Sequence, residues 1–201
     1  MSGNFLLHLD SLLIISSVPP NCHFEVDDVE DEWQYKHKFD YIHGRFLVSC
    51  FKDGASVFNK AFNALNPGGY FEMQDSLTIT CIDSSGEGTQ LMRWVSLMLE
   101  AATKLGRDWA KVKEYKKWME AAGFVDIKET YFAWPTNTWP RGLHYKTLGV
   151  WAGEDLKDGL EGFSMAALTR AHGWTEDEVK ALLADVRRDL DDRNIHAYMP
   201  M

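Results

Sequence analysis

Three short apolar runs near the start of the chain each end on polar, chemistry-bearing side chains: Leu6-Leu7-His8-Leu9-Asp10, Cys22-His23-Phe24-Glu25-Val26-Asp27-Asp28 and Phe39-Asp40-Tyr41-Ile42-His43. Runs of this length, followed by an amphipathic helix and a further run, are the pattern of an α/β fold with an open, mainly parallel sheet. Ligands of such sheets sit at the carboxyl ends of the strands, where a closing aspartate is placed to hold ribose or adenine groups. A phosphate or carboxylate would instead need amides from a glycine-rich turn and a helix N-terminus. Neither GxGxxG nor GxxxxGK[ST] occurs in the sequence.

With 201 residues and 45% apolar content the chain can bury a substantial core, and a single domain over residues 1–201 is expected. The net charge is −9 and the 21 basic residues are scattered, which argues against a nucleic-acid partner. Cys22, Cys50 and Cys81 form neither a CxxC pair nor an even set. A disulfide framework and a zinc site are therefore not expected, and a reducing cytoplasm, or the nucleus, suits the chain. The apolar stretch Phe5–Val18 lacks a basic leader and carries Asp10 in its middle, so it reads as buried strand and turn, with no membrane segment.

Val18-Pro19-Pro20-Asn21 is an extended break before the second run. Val57, Phe58, Ala61, Phe62 and Leu65 recur at helical spacing, and Asn66-Pro67-Gly68-Gly69 stops that helix before a strand over Tyr70–Asp75. Two further stripes predict helices, one from Leu91 to Leu105 and one from Tyr115 to Ala122 that Gly123 can end. Phe124–Trp134 is expected to be a strand, Trp134–Pro140 an irregular loop and Gly149–Gly162 glycine-rich connecting chain. Thr175-Glu176-Asp177-Glu178 predicts a capping box that opens a last helix.

This order resembles the class I S-adenosylmethionine (SAM) dependent methyltransferases, more narrowly the LaeA-like members of fungal secondary metabolism. The residues that carry it are Pro19-Pro20-Asn21-Cys22-His23-Phe24-Glu25-Val26-Asp27-Asp28-Val29-Glu30-Asp31-Glu32-Trp33, Phe39-Asp40-Tyr41-Ile42-His43-Gly44-Arg45, Leu65-Asn66-Pro67-Gly68-Gly69-Tyr70-Phe71-Glu72 and Arg170-Ala171-His172-Gly173-Trp174-Thr175. The resemblance implies a Rossmann-like sheet. It puts Asp10 at the cofactor ribose, Asp28 and Val29 at adenine, and His43 and Arg45 near the reacting methyl. Relatives carry a first strand and glycine loop ahead of Asp10 and a last strand beyond His196–Met201, so the expected fold is this one without its first and last strands. In the family's order the first strand lies in the middle of the sheet, and each buried amide left unpaired there costs about 1–3 kcal/mol. Direct pairing of the flanking strands, reuse of Leu12–Ile15, or a second chain would have to close that gap.

His43 is the foremost candidate for acid or base chemistry, with a structural histidine as the plain alternative. Arg45 is placed to orient a carboxylate or enolate, or to pair with nearby acids. Glu72 shares the strand after the Pro-Gly-Gly turn with Gln74. The tryptophans are mostly core or anchors, but Trp94 and Trp134, with Tyr131 and Tyr145, are candidates to line an apolar pocket for a flat small molecule. No histidine has a partner at metal-ligand spacing, so no metal is expected.

The functional expectation is a small-molecule pathway enzyme that performs an acid/base or shape-directed step, cyclisation or isomerisation, on a methyltransferase scaffold with a degenerate SAM site. The alternatives are a SAM-dependent methyltransferase whose cofactor site is rebuilt or completed by another chain, and a non-catalytic partner of a full-length homologue. A homo-oligomer, or a heteromer with a homologous chain, is expected in each case.

Overall fold

A computed structural model describes residues 5–7, 19, 21–47 and 50–201. Asp10 and Leu12–Ile15 lie outside them. The chain forms two compact units. The first holds residues 1–45, 53–73 and 115–127, the second residues 46–52, 74–114 and 128–201.

In the first unit β1 (Phe5–Leu7) pairs in parallel with β2 (Cys22–Phe24), Leu6 opposite His23. The expected second run thus keeps strand geometry over three residues only. Asp28 bends the chain beyond it: its Oδ1 accepts from the Glu30 amide at 2.9 Å and its carbonyl from the Asp31 amide at 2.9 Å. The acidic segment is then tied down from α1 (Gly54–Ala64), whose Lys60 Nζ donates to the carbonyls of Glu30 and Asp31 at 2.6 and 3.0 Å.

β3 (Phe39–Arg45) pairs with β4 (Leu65–Gln74), and among the described residues neither joins the β1–β2 pair. Side-chain contacts advance together along the two strands, Asp40 with Asn66 and then Tyr41 and His43 with Glu72, which is the sense of a parallel pair. The chain turns from α1 into β4 at Leu65, whose backbone is already extended, and within the strand Gly68 takes φ 81°, a conformation an L side chain resists.

One aromatic cluster of edge-to-face, tilted and stacked pairs holds this unit. Phe58 of α1 meets Phe71 of β4 at 5.1 Å, and Tyr115 and Trp118 of α3 (Tyr115–Ala122) at 5.0 and 5.4 Å. Phe124 closes it against Phe62 and Phe71. Aromatic pairs in this geometry add about 0.5–1.5 kcal/mol each beyond their burial.

The second unit is built on α2 (Gln90–Lys104), α4 (Leu143–His172) and α5 (Glu176–Asp191). Their apolar stripes meet in one core that includes Leu91, Trp94, Met98, Leu160, Leu168, Val179, Leu183 and Leu190. The capping box expected at Thr175 forms in full, with Thr175 Oγ1 accepting from the Glu178 amide and the Glu178 carboxylate from the Thr175 amide. Asp189 reaches from α5 to accept the Leu91 amide at 2.8 Å, so one helix caps the start of another.

Beside the helices lies an antiparallel sheet ordered β5 (Thr80–Cys81), β7 (Ala197–Pro200), β6 (Ala133–Pro135). The C-terminal segment is therefore itself a strand. Among the described residues no helix is long and apolar enough to cross a membrane.

Two expectations are corrected. Residues 149–162 are not connecting chain but the middle of α4. Their glycines serve contact: a Cβ on Gly149 would sit 2.0 Å from the Asn137 carbonyl oxygen, and one on Gly153 2.5 Å from that of Thr136. Packing against backbone thus overrides low helix propensity.

Likewise 124–134 is not one strand. Asp126 takes φ 54°, which breaks the alternation, and ladder pairing starts where Phe132 and Met201 exchange both amide bonds at 2.8 Å.

Candidate functional site

The period-two alternation of β3 and β4 puts Tyr41, His43 and Arg45 on one face with Tyr70, Glu72 and Gln74, and that face is exposed. Ile42, Phe71 and Met73, by contrast, are partly buried, and Phe71 joins the aromatic cluster. On the exposed face the Tyr41 hydroxyl donates to Glu72 Oε2, and the same oxygen lies 3.2 Å from His43 Nδ1. Tyr41 and His43 stack with ring centroids 6.1 Å apart.

A carboxylate only accepts, so the proton of a neutral His43 belongs on Nδ1 and the Nε2 lone pair is turned outward from the pair. Partial burial, and then the Glu72 carboxylate, push the Tyr41 phenol up to about 12, so Tyr41 stays a donor at neutral pH. The cluster can take a proton at His43 Nε2 and return it, with Glu72 steadying the imidazolium.

His43 and Glu72 are thus brought together, and Arg45 follows two residues on along the same face. Tyr41 was not singled out from the sequence, although its place two residues before His43 on a strand would have revealed it. Asp28 and Val29 lie in the turn after β2: Asp28 is exposed and Val29 offers its carbonyl to Trp33 Nε1 at 2.9 Å.

The pocket candidates lie in the other unit and separate there. Trp94 belongs to the core, its Nε1 donating to Ser164 Oγ at 2.8 Å, so it lines no cleft. Tyr131 is exposed and donates to Glu129 at 2.6 Å. Trp134, in the middle of β6, points to the opposite face from Ala133 and Pro135. Tyr145 alone of the four lines an open apolar cleft of about 330 Å³, with Ile82, Ala133, Pro135, Trp139, Pro140 and Tyr198.

The sequence reading also missed Asp83 and His196, 2.6 Å apart but 113 residues apart in the chain, a separation no spacing rule detects. Among the described residues no group of three or more His, Cys, Asp or Glu is disposed to hold a metal.

Residues 8–129 match a family model described as a methyltransferase domain. A probable methyltransferase, tdiE, from Emericella nidulans is 35% identical over 179 residues, 88% of this chain and 56% of that protein. The methyltransferase pytC of Aspergillus terreus is 32% identical over 90% of this chain and 57% of its own length. The secondary metabolism regulator laeA of Monascus pilosus is 32% identical over 90% of this chain and 50% of its own. The chain spans about half the length of the curated relatives it matches. By the family model that covers more than half of it, and by these relatives, the chain belongs to the LaeA-like class I methyltransferases.

Proposed function

We infer that the protein acts on a small molecule of fungal secondary metabolism and that the Tyr41–His43–Glu72 cluster moves a proton on that molecule. The observation that carries this reading is the single Glu72 oxygen shared by the Tyr41 hydroxyl and His43 Nδ1. It orients an imidazole as base on an exposed face and keeps a phenol beside it as donor. Removing a proton from an acidic C–H or O–H and delivering one elsewhere is what an isomerisation or cyclisation needs, and it requires no cofactor. The names of the LAE1 and laeA relatives, secondary metabolism regulators, are what connect this reading to secondary metabolism.

A second reading, SAM-dependent methyl transfer, is favoured by the names of tdiE and pytC. The described residues fit the adenine end: Asp28 uses Oδ1 within its turn, and its other oxygen is left to accept from an exocyclic amine. Bound SAM would supply an electrophilic methyl group. This chain would supply the acceptor at Asp28 and, at His43, the base that strips the proton from the nucleophile.

One experiment separates the readings. Purified protein is incubated with the small molecules of a producing culture in deuterated water, with and without SAM, and products are weighed by mass spectrometry. Deuterium uptake or an isomer of unchanged mass, lowered about 10²–10⁴-fold by His43→Asn, is the expected result. A product heavier by one methylene, formed only with SAM, transfers the case to methyl transfer. No change in any compound sinks both and favours a regulatory partner, the role that the name of laeA suggests.

A further inference from the structure

Two helices of the second unit bring charges of both signs into one cleft. Asp189 of α5 accepts the Leu91 amide of α2 at 2.8 Å, and His172, just ahead of α5, donates from Nε2 to the Leu97 carbonyl at 3.0 Å. α5 therefore runs back along α2 in the opposite sense. About one turn in from the Leu91–Asp189 contact, Arg93 comes opposite Asp185, and both line a cleft of about 310 Å³.

Ala181 and Leu182 of α5 and the half-buried ring of Trp174 give the cleft its apolar lining. Glu178, one turn before Leu182 on the same face of α5, adds a second carboxylate.

Each charged group is anchored by bonds that leave part of it open to the cleft. Arg93 Nη1 donates to Gln90 Oε1 at 3.2 Å, and its Cζ lies 5.9 Å from the centre of the Trp174 ring. Asp185 pairs with Arg188 through Oδ1, and Glu178 gives Oε2 to the amide and hydroxyl of Thr175 at 2.8 and 2.9 Å. Asp185 Oδ2, Glu178 Oε1 and the remaining guanidinium N–H groups are left over from these bonds. Among the described residues, Arg93 forms no ion pair with either carboxylate, although all three groups line the same small space. The complement of such a site is a molecule that itself carries both charges.

We propose that the α2–α5 cleft binds a free α-amino acid with an apolar side chain, its carboxylate on Arg93, its ammonium on Asp185 and its side chain along Trp174 and Leu182. A planar guanidinium takes a carboxylate through two parallel N–H groups, and an ammonium donates to the carboxylate oxygen that Arg188 leaves open. Glu178 repels a second carboxylate, which selects against acidic amino acids. All residues of this site lie in the second unit, so it stands or falls independently of the β3–β4 cluster.

The test uses the whole protein with L-phenylalanine as probe, beside phenethylamine, which lacks the carboxylate, and hydrocinnamate, which lacks the ammonium. Affinities are measured by calorimetry, and contact is read from the Nε–H resonances of the arginines. Phenylalanine should bind saturably, about tenfold or more tightly than either analogue, and should move the Arg93 resonance. Arg93→Gln should erase the preference over phenethylamine, and Asp185→Asn the preference over hydrocinnamate. The proposal is overturned by equal affinities for the three probes in the unmodified protein, by a stationary Arg93 resonance at saturation, or by no saturable binding. Because these readings are made on unmodified protein, the test survives a variant that misfolds.

Discussion

Among the described residues, two histidine–carboxylate pairs have almost the same exposure and quite different support. His43 and Glu72 are 37% and 46% exposed, His196 and Asp83 36% and 47%, so solvent does not distinguish them. The first pair is held by the register of adjacent strands and shares its carboxylate with a phenol. The second is held by a loop and the segment entering β7, by a serine that contacts both partners, and by an indole against the ring. Strand register aims side chains with few auxiliary bonds. Residues distant in sequence need a scaffold of small contacts to reach the same geometry.

The scaffolds beneath the two pairs can be broken separately. The largest effect is expected from Phe58→Ala, which removes the hub of the aromatic cluster under β4 and should cost about 3–5 kcal/mol in urea unfolding, with protection lost from the amides of α1 and α3. Under the other pair, Gly149→Val drives a side chain into the Asn137 carbonyl and should cost about 3 kcal/mol by the same measurement. A cost below about 1 kcal/mol would mean that α4 does not rest on that segment. Thr175→Ala removes the capping hydroxyl of α5 and should cost about 1 kcal/mol.

The subtlest difference is in pH dependence, because the two sites respond at opposite ends of the scale. Asp83 is held at about 2 against an ordinary 3.8, so its contribution to stability is whole above that ordinary value and disappears as pH falls toward 2. Tyr41 is pushed from 10.0 to about 12, so its contribution is whole below 10 and disappears as pH rises toward 12. Asp83→Asn should therefore flatten the acid limb of the melting-temperature profile, and Tyr41→Phe the alkaline limb. The reverse assignment would break the comparison.

Local patterns made much of this legible in the sequence. The stripes of α2, α3 and α5, the capping box and the core of β3 depend on residues within a turn or two of one another, and they form where periodicity and capping put them. His43 and Glu72 meet because each falls on the outward phase of its strand.

What was illegible depends on distant contact. Glycines at 149, 153, 159 and 162 read as a linker until the Thr136–Asn137 backbone is seen against the first two. The stretch 124–132 alternates well enough for a strand, yet the positive φ at Asp126 diverts it. Asp83 and His196 carried no signal at all, since only the antiparallel return of β7 beside β5 unites them.

Gly149 and Gly153 are one helical turn apart, and both abut carbonyls of the chain entering the loop after β6. Together they act as a keyway. A slide of α4 by one residue would present Val150 and Glu154 to the same oxygens, so the rod, about 45 Å long at 1.5 Å per residue, is indexed from its middle. The setting of that notch determines at once where Tyr145 stands at one end and how Leu168 seats at the other.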